Sequence, residues 1–395
     1  NYTLYKKDCK EFKEQKMKIA VIICEYNPLQ KGHVYHISRA IKDTGAQKVI
    51  CIMSGNFTQR GELAIADKYT RATWAIKNGA DMVVELPPQH VLTTAKYFAL
   101  GGVKIADLIK GEVTLSFGSE LGNLQVLQDI ASFQENDAFK TALDEELKKG
   151  NGYAKSYATA LSQLYPNYAD ALTTPNNILA VEYLKALNAV KSAITPHTLA
   201  RVGGGYHQTT ADEYPSASAI RIMWQKGDLQ TLAQGVSQCV YDYLKNTSPT
   251  DWQDANDKMF ALLKFNVNNI DLKNIHGIKE GVENRIITTL KESDCWQEFV
   301  NKLATKRYTN SYLLRTLINI LISNTFQARD LQDQNIDFIN VLAIEKNCKD
   351  LLSAFDCRVI TKSSDLPNGS LIKRADILYS SVTKNIPQYM QIVSR

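Results

Sequence analysis

The chain has 395 residues, 44% of them hydrophobic and 22% charged, with a net charge of +5. That length supports a sizeable core and about two domains, and that composition excludes a disordered or fibrous chain. The mild positive charge permits a nucleic-acid partner without arguing for one. Seven scattered cysteines with no C-x-x-C pair give neither a disulfide framework nor a metal cluster. No apolar run approaches the roughly 20 residues of a membrane span, and a reducing cytoplasm is the expected compartment.

Residues 1–16 are polar and lysine-rich, and are expected to be an extension outside the fold. Ile19 to Cys24 is a short run rich in β-branched side chains, which predicts a strand buried on both faces. Glu25, Tyr26, Asn27 and Pro28 break it. After Gly32, apolar residues at 34, 37 and 41 predict a helix closed by Thr44-Gly45. Gly32 and His33 therefore fall at a helix N-terminus, where free N–H groups and the helix dipole favour phosphate. His36 lies three residues after His33, so the two can share a face.

Lys48 to Met53 predicts a second strand, followed by a polar, glycine-bearing loop. Asp67 is a suitable N-cap for a helix reaching Asn78. Asp81 to Leu86 is a third strand, and a helix follows over 94–109. Thr114 to Phe117 is a fourth strand, ending at Gly118. Residues 123–190 read as mostly helical, with a helix opened by Pro175-Asn176-Asn177. His197 to Val202 predicts a fifth strand ending in the triple glycine Gly203–Gly205. Strands alternating with helices imply an α/β fold with a Rossmann-like parallel sheet, whose ligand crevice lies at the carboxyl ends of the strands. From about 226 the alternation stops. Residues 229–246, 256–264, 283–303 and 310–325 read as helices, and 358–361 and 371–378 as candidate strands. The expected organisation is a catalytic α/β domain over 17–228 and a mainly helical domain over 229–395.

Neither a Walker A loop nor G-x-G-x-x-G follows the first strand. His33 is either a donor to phosphate oxygens or a surface cap residue. Ser216-x-Ser218-x-x-Arg221 is either a second anion grip or an ordinary serine-capped helix. Arg201 is either a cation at a strand end or a surface arginine, and Asn176 either a hydrogen-bond partner for a ribose or base or part of an ordinary Pro-Asn helix start. Residues 299–329 contain no Asp or Glu. Lys302, Lys306, Arg307 and Arg315, interleaved with Tyr308, give the best candidate for RNA contact, because cations meet phosphate and aromatics stack on bases. The other reading is a solvated helix face.

The stretches EYNPLQKGHVYH, MSGNFTQRGE, DKYTRATWAIKNGADMVVELP, FGSE, PNNILAVEYLKAL, RVGGGYH, SASAIR and RYTNSYLLRTLINILI carry a resemblance. The chain resembles the HxGH nucleotidyltransferase superfamily and, within it, is similar to the tRNA(Met) cytidine acetate ligase family. That resemblance implies an ATP-dependent ligase. Acetate attacks the α-phosphate of ATP to give acetyl-adenylate, and the acetyl group passes to the exocyclic amine (N4) of the wobble cytidine of elongator tRNA(Met). It implies that Ile23, Cys24, Glu25, Tyr26, Asn27, Pro28, Gly32, His33, His36, Gly118, Asn176 and Arg201 hold ATP, with Ser216, Ser218 and Arg221 at the phosphates. His33, His36 and Gln30 are then the candidate catalytic residues, and the C-terminal domain the tRNA holder. Mg2+ is expected only as the partner of ATP. No protein partner is implied. One departure is that Gln30 stands where the superfamily has its first histidine. The competing functions are a small-molecule adenylyltransferase and an RNA-binding protein with a decayed nucleotide site.

Overall fold

The computed structural model describes residues 16–201, 214–305, 308–383 and 387–395. Lys306, Arg307, the triple glycine and residues 1–15 of the expected extension lie outside the described residues.

Five parallel strands come first: β1 (Lys18–Cys24), β2 (Lys48–Ser54), β3 (Met82–Leu86), β4 (Glu112–Ser119) and β5 (Thr195–Ala200). Their order across the sheet is β5-β4-β1-β2-β3, so β1 is central, between β4 and β2. Alternate residues of β1 enter opposite cores. Ala20 and Ile22 pack with Ile37 and Ala40 of helix α1 (Lys31–Thr44) and with Ala72 and Ile76 of helix α2 (Lys68–Lys77). Ile19 and Val21 pack with Phe98 and Val103 of helix α3 (Ala95–Asp107) and with Ala180 and Leu184 of helix α4 (Pro175–Val190). A sheet covered on both faces needs apolar residues at every strand position, which is why β1 and β2 read as unbroken apolar runs.

Helix α5 (Ala217–Gln225) follows. The expected helix over 229–246 is two, Leu229–Gly235 and Gln238–Lys245, with an extended Val236 between them. A helical layer then builds its own core. Helices α6 (Pro249–Asn266), α7 (Val282–Lys291), α8 (Trp296–Leu303) and α9 (Asn310–Leu321) meet at Phe260, Leu263, Ile286, Phe299, Leu313 and Leu317. The single helix expected over 283–303 is thus α7 and α8, interrupted after Glu292.

The late chain returns to the sheet, against the expectation that strand alternation had ended. β6 (Phe338–Glu345) pairs antiparallel with β3, and both β7 (Arg358–Ile360) and β8 (Gln391–Val393) pair parallel with β6. The expected strand at 371–378 is helix α10 (Leu371–Val382). Its buried residues Leu371, Ile372, Ala375, Leu378, Tyr379 and Val382 recur at helical spacing, and Ser370 caps it. A buried polar cluster fastens this late segment to the sheet. Lys68 Nζ lies 2.8 Å from carboxylate oxygens of both Glu85 and Asp376. Asn340 donates to Glu85 at 2.6 Å, and Asn56 to Asp376 at 2.9 Å.

Candidate active site

β1 ends at Cys24, and the next turn is pinned from several sides. Tyr26 holds a left-handed φ of 46°, and the Asn27-Pro28 peptide is cis. The Tyr26 hydroxyl is 3.5 Å from Cys51 Sγ, and its ring centroid is 5.1 Å from that of His33. Gln59 N donates to Glu25 Oε1 at 2.6 Å, and Ile65 N to Asn27 Oδ1 at 3.0 Å. Burial raises the Glu25 carboxyl above its ordinary range against the pull of the Gln59 amide and Arg71. Arg71, fully buried in α2, donates to Ala66 O at 3.0 Å, to Ser54 O at 3.1 Å, and to the carbonyls of Glu25 and Gly55. One guanidinium thus ties the ends of β1 and β2 together.

Gln30 is the N-cap of α1. Its side chain accepts from Gly32 N, and its carbonyl accepts from His33 N at 2.9 Å. The free amides expected at Gly32 and His33 are therefore engaged, one by the side chain and one by the carbonyl of the capping glutamine. Gly32 leaves the room: a Cβ there would lie 2.8 Å from Gln30 Oε1. Gln30 N donates in turn to His33 Nδ1 at 3.2 Å. Accepting at Nδ1 fixes the neutral tautomer of His33 with its proton on Nε2. Burial pushes the His33 pKa down to about 3, with Arg201 and His36 adding to it. His33 is thus a neutral hydrogen-bond donor at neutral pH.

His36 heads a chain of side chains leading away from the cleft. Its Nε2 is 3.0 Å from Ser116 Oγ, which is 3.1 Å from His197 Nδ1. His197 Nε2 lies 3.8 Å from Asp43, itself 2.9 Å from Arg39. Ser116 and His197 are direct register partners on β4 and β5. Burial lowers His36 to about 4, helped by His197 and Arg201, so it too is neutral.

The cleft, about 130 Å³, lies at the carboxyl ends of β1, β4 and β5. Of the residues predicted from sequence, Ile23, Gln30, Gly32, His36, Gly118, Asn176 and Arg201 line it. Arg201 N donates to Ser119 O at 3.0 Å, which places its side chain beside Gly118. Glu120 accepts from Thr174 Oγ1 at 2.8 Å and Asn177 N at 2.9 Å, and also from the Asn176 amide, which sets the start of α4. Cys24, Glu25, Tyr26, Asn27 and Pro28 form the adjoining turn rather than the wall, and His33 stands beside Gly32.

Ser216, Ser218 and Arg221 are not among the described lining residues. Ser216 caps α5, accepting from Ala219 N at 3.1 Å. Arg221 donates to Asn27 O at 2.8 Å and lies 3.3 Å from Glu62 and 3.4 Å from Ser218 Oγ, so it braces the turn from outside. Tyr35, Phe117, Leu179, Tyr183, Leu199 and Tyr214 line the cleft and were not anticipated. Leu179 and Tyr183 sit three and seven residues after Asn176, the spacing of one helix face, so that signal was present.

The candidate RNA contacts are spread out. Lys302 pairs with Glu298 at 2.7 Å, and the Tyr308 and Tyr312 rings stack with centroids 5.2 Å apart. Arg315 turns inward and donates to Gln59 O at 3.0 Å. Among the described residues no group of three His, Cys, Asp or Glu is placed to hold a metal ion, and no helix is long and apolar enough to cross a membrane. Neutral imidazole donors, one exposed arginine and apolar walls together suit a nucleotide whose phosphates reach the start of α1.

A family profile described as HIGH nucleotidyl transferase matches residues 17–391. The chain is 32% identical over 392 residues to a tRNA(Met) cytidine acetate ligase of Clostridium perfringens, covering 94% of this chain and 96% of that one. It is 37% identical over 363 residues to one of Thermoanaerobacter, covering 89% and 88%. Thermotoga maritima TmcAL bound with alpha-thio ATP superposes with a TM-score of 0.82 at 25% identity, covering 95% of this chain and 100% of that one.

Proposed function

The chain belongs to the HIGH nucleotidyl transferases and, among them, to the tRNA(Met) cytidine acetate ligase family, and from that premise we propose how its cleft works. It is an ATP-dependent ligase that joins acetate to the N4 amine of the wobble cytidine of elongator tRNA(Met). The observation that carries the reading is the cleft itself. His33, a neutral donor, stands in the first turn of α1 beside the lining residues Gln30 and Gly32, near enough to Arg201 for that charge to help lower its pKa, and Gly118 and Arg201 line the same cleft.

ATP lies with its nucleoside against Ile23, Phe117, Gly118 and Leu199, and with Asn176 beside it. Its phosphates reach Gly32 and His33. An acetate oxygen attacks the α-phosphorus, and the bond to the β-phosphate oxygen breaks, releasing pyrophosphate. Charge grows on the equatorial phosphate oxygens. His33 Nε2–H donates to them without changing protonation, and Arg201 supplies positive charge. Gln30 keeps the first turn of α1 closed and His33 oriented, a positioning role that needs no charge of its own. The cytidine amine then attacks the acetyl carbonyl, the amine loses a proton, and AMP leaves. Arg221 acts on the phosphates only through the turn it braces at Asn27, with Ser218 beside its guanidinium and Ser216 capping α5. Mg2+ comes with ATP, held by its phosphates, and this chain offers no carboxylate cage for it among the described residues.

Residues 229–395 carry the RNA, with the exposed Lys302 and the half-buried Tyr308 among its contacts and Lys306 and Arg307 between them in sequence. The protein works in the cytoplasm. Acetate-dependent exchange of labelled pyrophosphate into ATP tests the reading. Exchange that is equal with and without acetate overturns it.

A further inference from the structure

A second cavity, about 280 Å³, opens on the same edge of the sheet as the cleft. It lies where the chain leaves β3 at Pro87 and enters β6 at Phe338. Because β6 runs antiparallel to β3, that corner faces the way the ends of β1, β4 and β5 face. Neighbouring strands are about 4.8 Å apart, so the four steps from β4 to β6 separate the two openings by roughly 19 Å.

The cavity has the parts of a nucleobase site. Phe326 and Phe338, both half-buried, give it apolar walls. Gln334 brings a side-chain amide whose Oε1 is buried and has no hydrogen-bond partner. Its backbone is anchored, with Lys104 Nζ donating to Gln334 O at 2.7 Å. A buried acceptor left unpaired is costly unless a ligand brings the donor. An amide edge, with acceptor beside donor, is complementary to the N6/N7 edge of adenine. On the opposite side α10 begins at Ser370. Arg374, one turn in, is steadied by Ser323 O at 2.9 Å. Helix start and guanidinium offer positive potential to a backbone phosphate. Asp337 is the one carboxylate in the lining, which disfavours a free polyphosphate there.

We propose that this cavity receives an unpaired nucleobase of the RNA substrate, with a donor-beside-acceptor edge, a few nucleotides from the cytidine presented to the cleft. The inference rests on the reading of the chain as an RNA-modifying ligase. It turns the RNA from a surface ligand into one measured at two points along the sheet edge.

The test uses the full chain with Gln334→Leu and Phe338→Ala, neither of which touches the cleft. Acetylation of a tRNA(Met) transcript is measured at saturating ATP and acetate, beside RNA-free pyrophosphate exchange. The expected result is a KM for tRNA raised about tenfold or more, in line with the worth of one bidentate base contact, with exchange unchanged. A set of transcripts with single abasic sites in the anticodon loop should then show one position that weakens wild type but not Gln334→Leu. Wild-type KM in Gln334→Leu, with unchanged melting temperature, overturns the proposal even if Phe338→Ala fails to fold. If wild type acetylates no RNA, the functional reading fails separately. The cavity is then decided by equilibrium binding of the labelled transcript, where equal affinity in wild type and Gln334→Leu rejects it.

Discussion

His33→Ala separates chemistry from binding. The substitution removes the Nε2–H donor and the Nδ1 acceptor of Gln30 N. The lost intramolecular bond costs about 0.5–1.5 kcal/mol of stability, and Gln30 still caps Gly32, so the fold survives. The donor matters more. Deleting one preorganised donor to a developing oxyanion costs about 2.7–4 kcal/mol, a loss of roughly 10²–10³ in rate. Acetate-dependent pyrophosphate exchange should fall by that factor, while affinity for tRNA(Met) stays at the wild-type value. Because His33 stays neutral down to a pKa of about 3, wild-type exchange should show no inflection from this residue in the ordinary histidine range. Exchange within about tenfold of wild type, or ~1.4 kcal/mol, at unchanged melting temperature refutes the donor role.

Two further outcomes concern the fold beneath the site. Lys68→Met leaves the buried carboxylates of Glu85 and Asp376 without their cation and should cost about 3–5 kcal/mol in denaturant unfolding. Asp376→Asn keeps a one-to-one Lys68–Glu85 pair and should cost far less. Burial lifts Asp376 to about 6, against the pull of Lys68, so its charge is harder to hold in the fold than in the unfolded chain, and equal losses in the two variants would contradict the cluster's assignment. His90 is buried, with Nε2 unpartnered, and its pKa is lowered from 6.5 to about 4. The unfolded chain takes up that proton between those values and the folded chain does not, so the stability it contributes is present above 6.5 and lost as pH falls. His90→Asn keeps a donor for Tyr97 O, and its melting temperature should therefore gain on wild type from pH 7 to pH 5. A constant gap would refute the assignment.

The first three parallel strands were legible because each is a short apolar, β-branched run between helices, a pattern set by burial on both faces, whereas β5 (TPHTLA), only partly buried, was read two residues late. β6 was not, although FINVLAIE is as apolar as β1. It comes after a long helical stretch and joins the sheet across about 250 residues of chain, a pairing that periodicity does not register. The segment 371–378 was misread because a short window of α10 offers apolar residues to either period. In the cleft, Gly32, Gly118, Asn176 and Arg201 could be read from their places at strand ends and helix starts. The His36–Ser116–His197 chain could not, since it depends on cross-strand register between β4 and β5. Arg71 was not singled out from sequence, because only the meeting of β1 and β2 above it shows why it is buried. Gln30, a mere departure from a motif in sequence, is the cap on which His33 is hung.

Product analysis reads the acceptor of the acetyl group directly. The protein is incubated with radiolabelled acetate, ATP and elongator tRNA(Met), and the RNA is digested to nucleosides. Label is expected in N4-acetylcytidine at the wobble position, with one AMP formed per acetyl transferred. AMP release without labelled cytidine, or label in tRNA without ATP, would contradict it.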